Sequence, residues 1–347
     1  MRAAAANRGV QAALVSAVLF GAGTPLAKLL LGTVNPWLMA GLLYCGSGVG
    51  LLLVRLIRRS PRVRLTRHQI WPLAGAIIAG GVVGPVLLMI GLSAMPASGA
   101  SLLLNAEAVF TVVLAWLVFK ENVDRRILLG MLVIVAGAVL LSVPSAVELG
   151  TPWPALAVVG ACLAWGLDNN LTRKVALTDA TWLAAIKGSV AGPVNLTLGL
   201  LLGAAMPPPG PTAAAMSVGF FAYGVSLALF IVGMRHLGTA RAGAYFSIAP
   251  FFGALLALAL GETPTWPLVI AGALMALGVW LHLSEHHEHA HRHEPVTHTH
   301  THVHDEHHTH DHEQPVPTGT RHSHEHTHNA VVHSHPHYPD AHHRHSH

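Results

Sequence analysis

Ten long apolar runs, separated by short polar breaks, fill the chain from Gly9 to Leu283. Each is roughly 17 to 25 residues long, the length that carries an α-helix across the hydrocarbon core of a bilayer. No water is available there to satisfy backbone groups, so only helices or a closed barrel can span. A barrel would show short segments of period-two alternation. These runs are continuously apolar, so the sequence predicts an all-α integral membrane protein of about ten transmembrane helices. Composition agrees, with 10% charged against 52% hydrophobic residues, where soluble domains carry about a quarter charged. Cys45 and Cys162 both fall inside apolar runs and read as small packing residues. The first run lacks an A-x-A-like exit, so it is expected to be retained as a spanning helix.

The predicted spans are 9–31, 37–57, 71–92, 97–119, 127–143, 153–171, 182–204, 213–234, 242–260 and 266–283. Lys and Arg near helix ends mark the cytoplasmic side. They fall in alternate connections: Arg2 and Arg8, then Arg55 through Arg67, then Lys120, Arg125 and Arg126, then Arg173 and Lys174, then Arg235 and Arg241. Lys28 is the main exception. Both termini are therefore expected in the cytoplasm, with the protein multi-pass in the inner or plasma membrane. Trp37, Trp71, Trp153, Trp182 and Trp266 sit near predicted helix starts, where an amphipathic ring anchors at headgroups.

The chain repeats itself. Phe20-Gly21 through Lys28 lines up with Trp165-Gly166 through Arg173, and Gly91, Ala100 and Phe110 line up with Gly233, Ala242 and Phe252. Glu121 and Glu262 each close a small-residue helix, one residue out of register. Five helices per copy is an odd number, so the second copy enters the membrane with opposite polarity, the inverted repeat of many secondary transporters. The expected domains are residues 1–146, residues 147–284 and a tail, residues 285–347.

These features together resemble the EamA-type members of the drug/metabolite transporter superfamily over roughly residues 9 to 283. The likeness is carried by Phe20-Gly21 with Pro25 and Lys28, by the run Ser101 to Thr111 ending in Lys120-Glu121, and by Ala249-Pro250 through Gly261-Glu262. The resemblance implies ten helices, a central cavity between the halves, and transport of small metabolites, often outward. Ala108 departs from it, because the family often places a proline there, as the second copy keeps Pro250. A proline kink in the fourth helix is therefore not carried over.

Glu107 lies near the middle of the fourth span, where an ionisable group is costly unless it faces a cavity or a partner. It is the first transport candidate, exchanging a proton during turnover, against a plain reading as a hydrogen bond between helices. Asn105 is a second candidate, although two residues along a helix point about 200° apart. Asp168, Asn169 and Asn170 end the sixth span, with Trp165, Asp168 and Thr172 on one face. They line a cavity mouth, or Asp168 pairs with a nearby base. Lys187 is expected to snorkel to the headgroups, whereas Lys28 remains a transport candidate. Pro25, Pro85, Pro193 and Pro250 are places where helices could break beside a substrate path.

The tail changes character. All but His68, His236 and His282 of the 27 histidines lie in it, as H-x-H and H-H. With hardly any apolar side chains it cannot build a core and is expected to be disordered without metal. The candidate ligands are His298, His300, His302, His304, His322, His324, His326, His328, His333, His335 and His337. With Asp305, Glu306 and Asp311 nearby and no cysteine, the set suits Zn, Ni, Co or Cu(II).

The reading that follows is a secondary carrier, an exporter of a small organic metabolite, with a metal-binding tail and no required cofactor. Its expected partners are the lipid bilayer, the solute and transition-metal ions. A homodimer is compatible, and nothing points to nucleic acid. The alternatives are a Zn, Ni or Co efflux carrier and a membrane-anchored metal store or sensor. No phosphate-binding loop and no nucleophile with a nearby base suggest an enzyme.

Overall fold

The structure, a computed structural model, describes residues 2–61, 63, 65–119, 125–142, 152–172, 175, 179–237 and 245–283, and in the tail 288–293, 296–302, 322–328 and 331–336. Ten helical spans account for nearly all of the first set. Helix α1 is Arg2–Leu30, and α2 is Pro36–Ile57, started by Asn35, whose side chain accepts from Trp37 N. Helix α3 begins as Arg67–Ala76, widens into a π-helical Ile77–Val83 and resumes as Gly84–Ser93. The fourth span comes in two pieces, α4a (Ala97–Leu103) and α4b (Ala106–Phe119). Then follow α5 (Arg125–Ser142), α6 (Trp153–Thr172) and α7 (Ala180–Leu201), the last capped by Asp179 accepting from Trp182 N. Helix α8 is Pro209–Gly219, a π-helical Phe220–Val225 and Ser226–Leu237; α9 is Ala249–Ala259 and α10 is Trp266–Leu283.

The packing is two-fold in pattern. Helix α1 packs on α8 and α9, as α6 packs on α3 and α4b. Helices α2 and α7, one from each copy, pack together, and so do α5 and α10. Shifting every helix by five positions turns this set of neighbours into itself, so the two five-helix copies enclose one bundle. The π-helical stretches recur as well, at Ile77–Val83 and at Phe220–Val225.

The bundle interior mixes alanines with large side chains such as Leu38, Met39, Leu88 and Met275, and other large apolar residues cover the outside. Ala13, Ala17, Ala40, Ala100, Ala161 and Ala185 are fully buried, whereas Leu56, Trp71 and Trp266 are almost fully exposed. Lipid tails are as apolar as leucine, so helices gain by close van der Waals approach rather than by hiding large side chains. The α2–α7 crossing shows how close. A Cβ built on Gly188 would lie 2.5 Å from Gly48 N and 2.7 Å from Tyr44 O, both backbone atoms that no rotamer change can move. At the α2–α8 crossing a Cβ on Gly46 would run into Met216 O, and one on Gly219 into Leu43 O.

The prolines act less uniformly than expected. Pro25 and Pro193 lie inside unbroken helices. Pro250 instead occupies the first turn of α9, where the missing N–H costs nothing, and Pro85 directly follows the π-helical stretch inside the continuous α3 span. The fourth span breaks without any proline. Asn105 Nδ2 donates to Leu102 O at 2.9 Å, a carbonyl that also accepts Asn105 N at 3.0 Å, while the chain turns into α4b. The interruption is present although position 108 is Ala rather than Pro.

Residues 286–347 form a second unit. Its described parts are four strands, β1 (Glu288–His293), β2 (Val296–His302), β3 (His322–His328) and β4 (Val331–Pro336), in two antiparallel ladders, β1 with β4 and β2 with β3. In the β2–β3 register His298 opposes His326, His300 opposes His324 and His302 opposes His322; in the other, His289 opposes His335 and His291 opposes His333. Alternation of histidine with Thr and Ser supplies the period of two that a strand requires. A two-stranded ladder is marginal in water by itself, so these strands do not amount to a core. His304 and His337 lie outside the described residues.

Gly188→Val is expected to lower the detergent-solubilised melting temperature by several degrees, because overpacking typically costs about 1–3 kcal/mol. Gly32→Ala, whose Cβ would meet nothing within 4 Å, is expected to leave it unchanged, as differential scanning fluorimetry would show.

Candidate functional site

Helices α4b and α6 face each other through polar side chains. Asn169 Nδ2 donates to Glu107 Oε1 at 2.8 Å and to Thr111 Oγ1 at 3.2 Å. Asn170 Nδ2 donates to Thr111 O at 3.1 Å and Gly166 O at 2.8 Å, tying the helices one turn away. Glu107 opens α4b directly after the break, so the interruption that Asn105 stabilises also sets where the carboxylate enters the bundle. The close approach needs Gly166, where a Cβ would press on Phe110 and Thr111.

Asp168 serves a different partner. Lys187 Nζ on α7 contacts its Oδ1, and Thr172 Oγ1 donates to the same oxygen at 2.8 Å. Lys187 also donates to Thr172 Oγ1 at 2.8 Å. Both charged side chains are shielded. The expected headgroup role of Lys187 is therefore corrected: an unpaired Asp168 inside the bundle would cost more than the snorkelling of Lys187 gains. A Cβ on Gly80 would collide with the Asp168 carboxylate, so the glycine makes room for this pair.

The π-helical stretch of α3 is used directly. Widening a helix frees carbonyls from the regular ladder. Gly80 O accepts from Tyr44 Oη at 2.6 Å and from Trp165 Nε1 at 2.9 Å, and Gly81 O accepts from Asn195 Nδ2 at 2.9 Å. The Tyr44 ring lies 5.6 Å from that of Tyr223, in the matching π-helical stretch of α8. From Tyr223 the rings continue to Phe20 at 5.8 Å and from Phe20 to Phe246 at 5.2 Å. Protein surrounds Glu107, Tyr44 and Tyr223 on all sides, and both tyrosines lie within electrostatic reach of Glu107. All three keep solvent-accessible surface, and Asn169 beside Glu107 is exposed.

At one end of the bundle Lys28 donates to Leu92 O at 2.7 Å and Ser93 O at 3.3 Å. Glu262, just past α9, accepts from Ala97 N at 2.6 Å and Ser98 N at 2.9 Å, the free amides that begin α4a. Partial burial pushes its carboxyl up, but these hydrogen bonds and the Lys28 charge outweigh it and hold it below the ordinary carboxylate range. At the opposite end Arg55 Nη1 faces Asp179 Oδ1 at 2.9 Å, an ion pair outside hydrogen-bond geometry, and Arg55 Nη2 donates to Pro61 O at 2.8 Å.

Of the sequence candidates, Glu107, Asn169 and Asp168 come together in one region. Asn105 has its own bonds, to Leu102 O and toward Met275 Sδ, and Lys28 belongs to the end contact with Glu262. Tyr44, Tyr223, Phe246 and Glu262 were not among the candidates. Only Glu262 had left a trace, as the partner of Glu121 in the repeat; Glu121, Arg173 and Lys174 lie outside the described residues.

The model of the EamA-like transporter family matches the chain twice, over residues 7–143 and 152–284. The chain therefore belongs to the EamA-like transporter family, and it is a multi-pass membrane transporter protein built from two copies of that unit. It is 28% identical over 289 residues to a protein of Methanothermobacter thermautotrophicus described as an uncharacterized transporter, across 77% of this chain and 84% of the relative. A crystal structure at 21% identity superposes with a TM-score of 0.60, covering 82% of this chain and 99% of that one, and so shares the fold.

Asp168→Asn or Lys187→Met alone is expected to destabilise strongly, by about 3–5 kcal/mol for a stranded buried charge, and the double variant to recover much of the loss. Additive losses in thermal unfolding would contradict the pairing. The Glu262 contribution is present above its unfolded pKa of about 4.3 and is lost as pH falls through its depressed folded value. Wild type should therefore lose stability below the ordinary carboxylate range, and Glu262→Gln should flatten that acid limb.

Proposed function

We propose that this protein exports a small organic metabolite across the inner or plasma membrane, and that protonation and deprotonation of Glu107 couple the export to the proton gradient. The observation that carries this reading is Glu107 itself, a half-buried carboxylate between α4b and α6, hydrogen-bonded to Asn169. An ionisable residue inside a span is retained against a cost of several kcal/mol. The repeat-built architecture of the family supports a site between the halves. Both termini lie in the cytoplasm in this reading, on the basic-residue pattern of the sequence.

The tail binds transition metal and senses, buffers or tethers it. Its H-x-H spacing places alternate histidines on one face of a strand, and imidazole suits Zn, Ni, Co or Cu(II). A metal-efflux path through the bundle has less support: among the described residues no three His, Cys, Asp or Glu side chains converge.

Reconstituted vesicles with an imposed pH gradient test the carrier. Screened against amino acids and related metabolites, wild type should accumulate at least one solute, and Glu107→Gln should reduce gradient-driven accumulation about tenfold or more. The variant should stay folded, because an interhelical hydrogen bond in a membrane protein averages only about 0.6 kcal/mol. A variant indistinguishable from wild type would remove the proton step. Deleting residues 285–347 should abolish most metal binding and leave metabolite flux intact, and metal affinity of the full chain should fall as pH drops below about 6.5.

A further inference from the structure

We infer that the solute is an amphipathic amine, its protonated nitrogen held at Glu107 and Asn169 and its apolar body against Phe20, Tyr223 and Phe246; this rests on the carrier reading above. Three observations converge on it.

The two copies have diverged at matching positions in the bundle. Trp165 in the second copy corresponds to Phe20 in the first. The π-helical stretch of α3 presents the Gly80 carbonyl, whereas the matching stretch of α8 presents the Tyr223 ring. Beyond the α4 break stands Glu107, but the corresponding start of α9 holds Ala249 and Pro250. Helices α3, α4b and α6 thus supply a carboxylate, amides and a carbonyl, and helices α1, α8 and the approach to α9 supply rings in contact with one another. A binding space with one polar and one aromatic wall fits a solute of the same build.

Charge decides the sign of the polar end. Lys187 is committed to Asp168, and Arg55 to Asp179. No ion pair joins Glu107 to a base among the described residues. A solute carboxylate placed there would meet the Glu107 carboxylate, whereas a cation would pair with it. Buried like charges are strongly unfavourable and a lone buried carboxylate is costly, so both terms select a positive group.

The hydrogen-bond inventory decides the same way. Apart from the Tyr223 hydroxyl, the donors named around the space are committed: both Asn169 amide protons go to Glu107 and Thr111, Tyr44 Oη donates to Gly80 O, and so does Trp165 Nε1. What remains unmet is acceptor capacity, on the second Glu107 oxygen and on Asn169 Oδ1. An ammonium group carries three donors and no acceptor. The faces of Tyr44, Tyr223 and Phe20 attract a desolvated cation further.

Isothermal titration of the full chain in lipid nanodiscs, with phenethylamine, 2-phenylethanol, 3-phenylpropionate and butylamine as probes, tests this. Phenethylamine should bind at least about tenfold more tightly than the alcohol or the acid. Glu107→Gln should bring it to the level of the alcohol, while Tyr223→Ala should bring it toward butylamine, with both variants eluting as wild type does. The acid or the alcohol binding as tightly as the amine, or an amine affinity untouched by Glu107→Gln, overturns the assignment. If only anionic or neutral metabolites are carried in vesicles, the carrier stands and the amine falls. If no metabolite of any charge is bound or moved, the carrier reading itself falls.

Discussion

Hydrocarbon accepts no hydrogen bonds, and the rest of this molecule follows from that constraint. Every spanning segment must close its own backbone ladder, so any departure from the regular α-helix needs partners for the groups it releases. Those of α3 and α4 are partnered. The π-helical stretch of α3 gives its carbonyls to Tyr44, Trp165 and Asn195, the break in α4 is closed by Asn105, and the amides that start α4a are taken by Glu262. The glycines around them permit the approach, since Gly80 admits Asp168 and Gly166 admits Phe110 and Thr111.

Duplication supplies the frame, and divergence supplies the chemistry. The neighbour relations of the first five helices recur in the second five, and so do the π-helical stretches. A symmetric pair would present the same wall twice. Instead the first copy brings Glu107, bonded to Asn169 of α6 in the second, where the matching start of α9 has Ala249 and Pro250 and the rings of Tyr223 and Phe246 stand near Phe20. The fold is shared with a protein at only 21% identity, which is expected when close helix packing rather than particular side chains holds a bundle together.

Much of the fold is legible in the sequence because hydropathy in a membrane is written over lengths of about 20 residues. The spans, the duplication and the polar positions of α4 and α6 all come from such signals. What is not legible depends on backbone geometry. The π-helical stretch Ile77–Val83 is apolar and glycine-rich like its neighbours, so nothing in it announces that Gly80 O will accept two hydrogen bonds. Tyr44 and Tyr223 therefore look like ordinary apolar-run aromatics until that geometry is known. Lys187 misleads for a related reason: its distance from the helix end suggests the headgroups, and only the α6–α7 arrangement brings Asp168 to it. The Glu262 contact joins residues 165 positions apart, beyond any local pattern.

The central claim is that Glu107 borders a watery space inside the bundle instead of being sealed in protein or facing lipid. Single cysteines at position 107 and at lipid-facing Val135, in a chain whose Cys45 and Cys162 are replaced by alanine, would be challenged with a charged, water-soluble maleimide in proteoliposomes. Such reagents need a hydrated thiolate. The account predicts steady labelling at position 107 and almost none at 135; labelling at 107 no faster than at 135 would contradict it.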